Sequence, residues 1–203
     1  GKPFGDGPDG HSLWPSFTNV PNEFLESYFP LRIDIYETII DTGGAGKNRG
    51  GNGLRIGYRF LEPGEISIHD DRWLTYPWGA NGGEPGARST KLLKRADGTE
   101  EILPSKMDHI KVEAGDLLLS DTWGGGGWGD PFERDAKQVA FDVAAGLVSI
   151  KGARRYGVVI KSDHSIDESA TTSLRKEMAA KRGPKKIFDR GFDSIEELKA
   201  RCK

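Results

Sequence analysis

The sequence predicts a β-rich α+β fold: irregular antiparallel sheets with long Gly-rich loops over residues 1–130, then a short helical region over residues 131–203. Three observations carry that reading. Apolar and polar residues alternate with period two in segments joined by turns too short for the crossover helices of a parallel sheet. Of the 28 glycines, 24 fall in the first 150 residues and only four follow, a shift from loop-rich to helical composition. Beyond Asp130 the apolar spacing changes to three and four, with capping residues ahead of each run.

Composition narrows the function classes. The 203 residues suffice for one domain with a core, or one domain plus an appendage. Twenty-nine basic and 31 acidic side chains leave a formal charge of −2, which argues against a general nucleic-acid binder. No apolar run approaches the roughly 20 residues of a membrane span. The single cysteine, Cys202, excludes an internal disulfide, and metal-type Cys spacing is absent, so a reducing cytoplasm is the expected setting. The chain starts at Gly1 rather than Met and stops inside a helical pattern, so a fragment of a longer subunit is expected.

The elements follow in order. Prolines 3, 8, 15, 21 and 30 forbid long regular structure at the start. Asn22 is the expected cap of a short helix Glu23–Phe29, which Pro30 ends. Leu31–Ile40 alternates as a strand. Leu54–Glu62 and Glu65–His69 are the second and third, separated by a Pro63-Gly64 turn. Lys91–Arg95 and Glu100–Leu103 flank Asp97-Gly98, a hairpin signal. Ile110–Val112 and Leu117–Ser120 around Glu113–Asp116 make a second hairpin candidate. Arg134–Ala145 reads as a helix, with Val139, Val143 and, just beyond it, Leu147 four apart, and stops at Gly146. Ser149 caps a short helix to Tyr156, Val158–Ile160 is a short strand, Asp167 caps a helix to Arg182, and Ser194 with Glu197 opens the last one. The basic stretch Ala179–Lys186 is expected to be a solvated linker or helix end.

Four features bear on chemistry. Gly43–Gly53 lacks the Lys-Ser/Thr and following helix of a phosphate loop. It leaves either an anion contact through Lys47 or Arg49, or a wide turn packed on a neighbour. Gly124–Gly127, bracketed by Trp123 and Trp128, costs backbone entropy on ordering. Such a run implies positive φ or close approach by something else: a ligand or partner, or simply another part of the fold. His11, in a loop after Asp9-Gly10, is the candidate for acid–base work. His69, before Asp70-Asp71, lacks a second His at ligand spacing, so a loop hydrogen-bond network outweighs a metal; His109 and His164 read as structural.

An ordered series of short motifs then adds specificity. Asp9-Gly10-His11, Asn19-Val20-Pro21-Asn22-Glu23, Phe29-Pro30-Leu31-Arg32, Thr42–Gly46, Arg49–Gly53, Pro77-Trp78-Gly79, Gly82–Ala87, Leu103–Lys106, Gly124–Pro131 with Glu133-Arg134-Asp135, Gly146–Ser149 and Tyr156–Val159 together resemble the C-terminal part of the hydantoinase B/oxoprolinase family. The resemblance covers nearly the whole chain. It implies a subunit working with a hydantoinase A-type ATP-binding partner and with the upstream half of its own polypeptide. Such complexes open hydantoins, 5-oxoproline or lactams with ATP, or carboxylate ketones in the acetone and acetophenone carboxylases. ATP and Mg are then expected on the partner and a divalent metal in the upstream half, with no metal ligand carried onto these residues. A non-catalytic assembly role is the reading from another class. The isolated chain, without a Walker-type loop, is expected to be inactive.

Overall fold

The computed structural model describes residues 1–11, 20–192 and 194–200. Pro15, Asn19 and Cys202, used above, lie outside the described residues. The chain forms antiparallel sheets followed by short helices, as the alternation and turn lengths predict.

The larger sheet has the order β1(Leu31–Thr38)-β2(Leu54–Phe60)-β8(Leu117–Asp121)-β5(Thr90–Lys94)-β6(Glu100–Ile102). β1 pairs with β2 from Leu31 opposite Phe60 to Thr38 opposite Leu54, with a register shift between Ile33 and Ile35. The strand therefore stops short of Ile40. β3(Gly64–His69) and β7(Lys106–Val112) form a separate antiparallel pair, so the Pro63-Gly64 turn hands the chain from one sheet to another. Phe60, Leu93 and Leu118 of the large sheet pack with Ile68, Ile110 and Val112 of the small one, with Leu103 beside them. Leu93 and Leu103 are completely buried.

β5 and β6 form the expected hairpin, with Gly98 of the Asp97-Gly98 turn at φ 88°. The second hairpin candidate is overturned. Val112 pairs with Gly64, whereas Leu117 pairs with Arg59 and Lys94, so Glu113–Asp116 crosses between sheets. The physical reason is Asp116. Its buried carboxylate accepts the N–H of Ala96 at 2.9 Å and of Glu113 at 3.0 Å, and Arg95 at 2.9 Å, anchoring the turn to the neighbouring hairpin. Burial would raise its pKa, but these donors outweigh burial and hold it below the usual carboxylate range.

α1(Asn22–Tyr28) starts one residue earlier than expected. Pro21, at φ −53° and ψ 137°, already aims its carbonyl at the Leu25 N–H, and no side chain caps the helix. α2(Ala136–Ala144) starts at Ala136 because Asp135, not a residue ahead of Arg134, takes the capping position and accepts the Lys137 N–H at 2.9 Å. Gly146 ends that region at φ 71°. Ser149 Oγ accepts the Gly152 N–H ahead of a 3-10 turn, Gly152–Tyr156. Val158–Ile160 is not a strand. The Val158 N–H goes to Ala153 and the Val159 N–H to the Thr171 hydroxyl, so the segment fills the second core without a ladder. That core joins Val139, Val143, Val148, Tyr156 and Val158 to Ala45.

Asp167 caps α3(Glu168–Lys181) through the Ala170 N–H, and Ser194 Oγ faces the Glu197 N–H at the start of α4(Ile195–Ala200). The basic stretch Ala179–Lys186 is the exposed end of α3 and the residues after it, and it is tied back to the glycine loops. Asn81 and Gly82 donate to Ile187 and Lys186, β9(Phe188–Asp189) pairs with β4(Gly79–Ala80), and Arg182 and Lys185 pair with Asp130.

Candidate functional site

The glycine loops converge. Segments 1–10, 41–46, 48–53, 77–80, 83–87 and 124–129 run side by side, mostly outside regular ladders. Segment 124–129 lies at the centre. Gly125 accepts from the Gly44 N–H at 2.8 Å and donates to Gly51 at 2.7 Å. Gly124 donates to Ala87, Gly127 donates to Glu84, and the Ala80 N–H returns to Gly127 at 2.9 Å. Four neighbouring segments therefore share its amides.

Glycine is required here by proximity. A Cβ on Gly124 would overlap the Thr42 carbonyl oxygen, one on Gly126 that of Trp78, and one on Gly127 that of Ala45. Gly43, Gly44, Gly50, Gly83 and Gly86 meet backbone in the same way. Positive φ is not the cause: none of Gly124–Gly127 lies there, whereas Gly129 does, at φ 75°. The packing follows collagen's rule, glycine wherever chains meet too closely for a side chain.

Charged side chains buttress this lattice. Arg134, almost fully buried, makes a two-pronged bond to Asp6 at 2.8 Å and another to Asp142 at 2.8 and 3.1 Å. It also donates to the Lys47 carbonyl at 3.0 Å. Asp6 in turn accepts the Arg49 N–H, and the Arg49 guanidinium pairs with Asp9 at 2.8 Å. Burial opposes ionisation of Asp6, but the bonds and charge of Arg134 win and lower its pKa. At Asp142 burial dominates over Arg134, and its pKa is raised. Burial likewise pushes the Tyr156 phenol up to about 12. Asp130 is held well below the ordinary carboxylate range by Arg182, against burial and with help from the Phe132 N–H and Lys185.

Each residue singled out in the sequence has a definite place. Gly124–Gly127 is enclosed largely by the chain's own loops, with Gly125 and Gly126 half-buried. Arg49 is buried and bound to Asp9, while Lys47 is exposed and its N–H reaches the Gly129 carbonyl at 3.2 Å. His11 is exposed, one residue after Gly10, whose N–H bonds Asn52. His69 faces Asp108 at 3.5 Å and His109 bonds Glu65 at 2.6 Å. Among the described residues, no three His, Cys, Asp or Glu side chains group as a metal site would need.

Sequence reasoning did not single out the Asp6–Arg134–Asp142 network. The signal was present: Asp142 shares the buried side of α2 with Val139 and Val143, where a carboxylate demands a partner. Beside the lattice lies an open cleft of about 470 Å³, floored by Pro85, Gly86 and Ala87 and flanked by Tyr76, Lys151 and Arg155. Arg155 is held by Glu84 at 2.8 Å and by the carbonyls of Asp41 and Gly43.

The hydantoinase B/oxoprolinase family model matches residues 1–131, which contain all six lattice segments. The putative D-/L-hydantoinase B component of Pseudomonas sp. (strain NS671) is 33% identical over 174 residues, 84% of this chain and 29% of that protein. The beta chain of the caprolactamase of Pseudomonas jessenii is 34% identical over 161 residues, 75% of this chain and 27% of its own. The crystal structure of the ATP-dependent caprolactamase from Pseudomonas jessenii superposes with a TM-score of 0.64 at 33% identity, covering 76% of this chain and 28% of that one. A nucleotide-free acetone carboxylase shares the fold with a TM-score of 0.72 at 23% identity, over 89% of this chain and 30% of that one. The chain thus spans less than a third of the length of the relatives it matches. With the family model covering the whole lattice and relatives above 30% identity, the chain belongs to the hydantoinase B/oxoprolinase family.

Proposed function

We propose that the chain is the C-terminal part of a hydantoinase B-type subunit in an ATP-dependent complex that hydrolyses cyclic amides: hydantoin, 5-oxoproline or a lactam. The observation that carries the reading is its identity of 33% and 34% to a hydantoinase B component and a caprolactamase beta chain. Opening such a ring adds water's oxygen to the carbonyl carbon and breaks the C–N bond, leaving a carboxylate with an amine, or with a ureido group in the case of hydantoin. ATP phosphorylates the amide oxygen first, so the attack of water expels the nitrogen and leaves an acyl phosphate, which a second water cleaves to the carboxylate and inorganic phosphate.

In this reading the lattice is the rigid part of the subunit, and the run Gly124–Gly127 lies close to the substrate region or to the upstream half. His11 is the acid–base candidate because it is exposed at the lattice's edge. Lys47, exposed, and Arg49, paired with Asp9, are the candidates for an anion contact. ATP and Mg belong to a hydantoinase A-type partner, and the isolated chain is inactive. Ketone carboxylation is the alternative chemistry, and a non-catalytic assembly role the alternative class.

The test is reconstitution of the full-length subunit with an ATP-binding partner, measuring ADP release and product formation. The expected result is ATP-dependent opening of at least one of hydantoin, 5-oxoproline or caprolactam. Bicarbonate-dependent consumption of acetone or acetophenone, with every amide inert, would replace the reading by carboxylation. Inertness toward all of them, in a complex that still assembles, would leave the assembly role.

A further inference from the structure

The cleft beside the lattice has donors that the fold does not use. Arg155 is immobilised through Nε on Glu84 and through Nη1 on two carbonyls, which leaves Nη2 uncommitted among the described residues. Lys151 lies on the exposed rim, and its ammonium pairs with no described residue. The Tyr76 ring is fixed, with the Arg88 guanidinium 4.4 Å from its centroid and Gly191 packed closely on the ring. Its hydroxyl donates to nothing among the described residues. Two carboxylates bear on the cleft: Asp41, which lines it, accepts the Ser149 N–H at 2.9 Å through one oxygen, and Glu84 holds Arg155.

A guanidinium edge held in place, an ammonium and a phenol around an apolar floor form a receptor for a small oxyanion. The volume, about 470 Å³, lies in the range of small-molecule sites. We propose that this cleft binds an oxyanion of small-molecule size, a carboxylate or a phosphate, through Arg155, Lys151 and the Tyr76 hydroxyl. The proposal rests partly on the reading above, because ATP-dependent ring opening releases both: the carboxylate of the opened amide, and inorganic phosphate. Guanidinium recognition of either is charge-assisted and directional, whereas the neutral cyclic amide offers no charge to it.

The experiment is calorimetric titration of the 203-residue chain, and in parallel of the full-length subunit, with inorganic phosphate, 6-aminohexanoate, N-carbamoylglycine and neutral caprolactam. Two variants leave the Arg155–Glu84 bond and the lattice untouched: Tyr76→Phe, which removes only the hydroxyl, and Lys151→Met, which removes only the charge. The expected result is saturable binding of phosphate or of a carboxylate, weakened at least fivefold by each variant, with no saturable binding of caprolactam. Phosphate binding alone identifies the phosphate as the ligand; carboxylate binding alone identifies the opened amide. No saturable binding of any anion to either protein, or affinities unchanged in both variants, would overturn the proposal. These titrations need no turnover. A complex inert toward cyclic amides whose cleft still binds phosphate would sink the functional reading and leave the site standing.

Discussion

Leu93 and Gly124 are both buried, but their surroundings differ in kind. Leu93 lies between two sheets among other side chains, including Ile68, Ile110 and Leu118. Gly124 lies among backbones: its amide bonds Ala87, and its Cα faces the Thr42 carbonyl. Between the sheets, stability comes from apolar area, which varies continuously with side-chain size. In the lattice it comes from amide bonding at separations that admit no side chain, so tolerance is all or nothing. The first region can be repacked by small steps; the second can only be kept or lost.

The largest effect is expected in the lattice. Gly124→Ala and Gly127→Ala each place a methyl group inside a carbonyl oxygen's space, and the obstacle is backbone. The cost should exceed the roughly 1–3 kcal/mol of ordinary overpacking, and thermal denaturation should show loss of the cooperative transition. A wild-type melting temperature in both variants would erase the contrast between the regions.

Next comes Arg134→Met, which strands the carboxylates of Asp6 and Asp142. Removing one partner of a buried pair costs about 3–5 kcal/mol. Urea unfolding should show that loss at pH 7, and a smaller one for Asp142→Asn, since Arg134 keeps Asp6.

Between the sheets the scale is graded. Leu93→Ala should cost about 2–5 kcal/mol, whereas Leu93→Met should cost under about 1.5 kcal/mol. A lattice-like collapse with Met, measured by the same urea midpoint, would show that this core is as intolerant as the glycines.

Acid should act on the lattice's buttresses. Asp130 and Asp6 have pKa values lowered from 3.8, so their stabilisation is complete above that value and is lost as pH falls through their folded values. Asp142 has the opposite sign: its raised pKa gives a contribution present below 3.8 and lost as pH rises. Denaturation midpoints should therefore fall below about pH 4. Asp130→Asn should be less stable at pH 7 and show a shallower decline in acid. An unchanged acid slope would remove Asp130 from this account.

The smallest effect sharpens the comparison from within. Gly5 and Gly183 have open space where a Cβ would go and no positive φ. Gly5→Ala and Gly183→Ala should change stability by no more than about 1 kcal/mol, toward stabilisation. Calorimetry showing large losses there would mean that something besides close approach selects glycine.

The two regions also differed in legibility. Alternation in Leu31–Thr38 and Leu54–Phe60 exposed the strands directly, and Asp97-Gly98 exposed the β5–β6 hairpin. Glu113–Asp116 misled because turn chemistry is local, whereas the sheet a strand joins depends on distant partners. In the lattice, composition announced that Gly124–Gly127 was constrained but not by what. Backbone-to-backbone approach leaves no periodicity, and the six participating segments carry no mutual register in the sequence. At Arg49 the sequence leaves an anion contact and a packed turn both open for a related reason: its partner, Asp9, lies forty residues away in the chain.

The lattice also sets an order of events during synthesis. Its central segment comes last in sequence, at residues 124–129, while the five that surround it have all been made by residue 87. Those five cannot complete their amide pairing until the sixth leaves the ribosome. Until then their glycines stay open to water. The whole bundle closes in one late step with high sequence separation, the kind of contact that slows folding most.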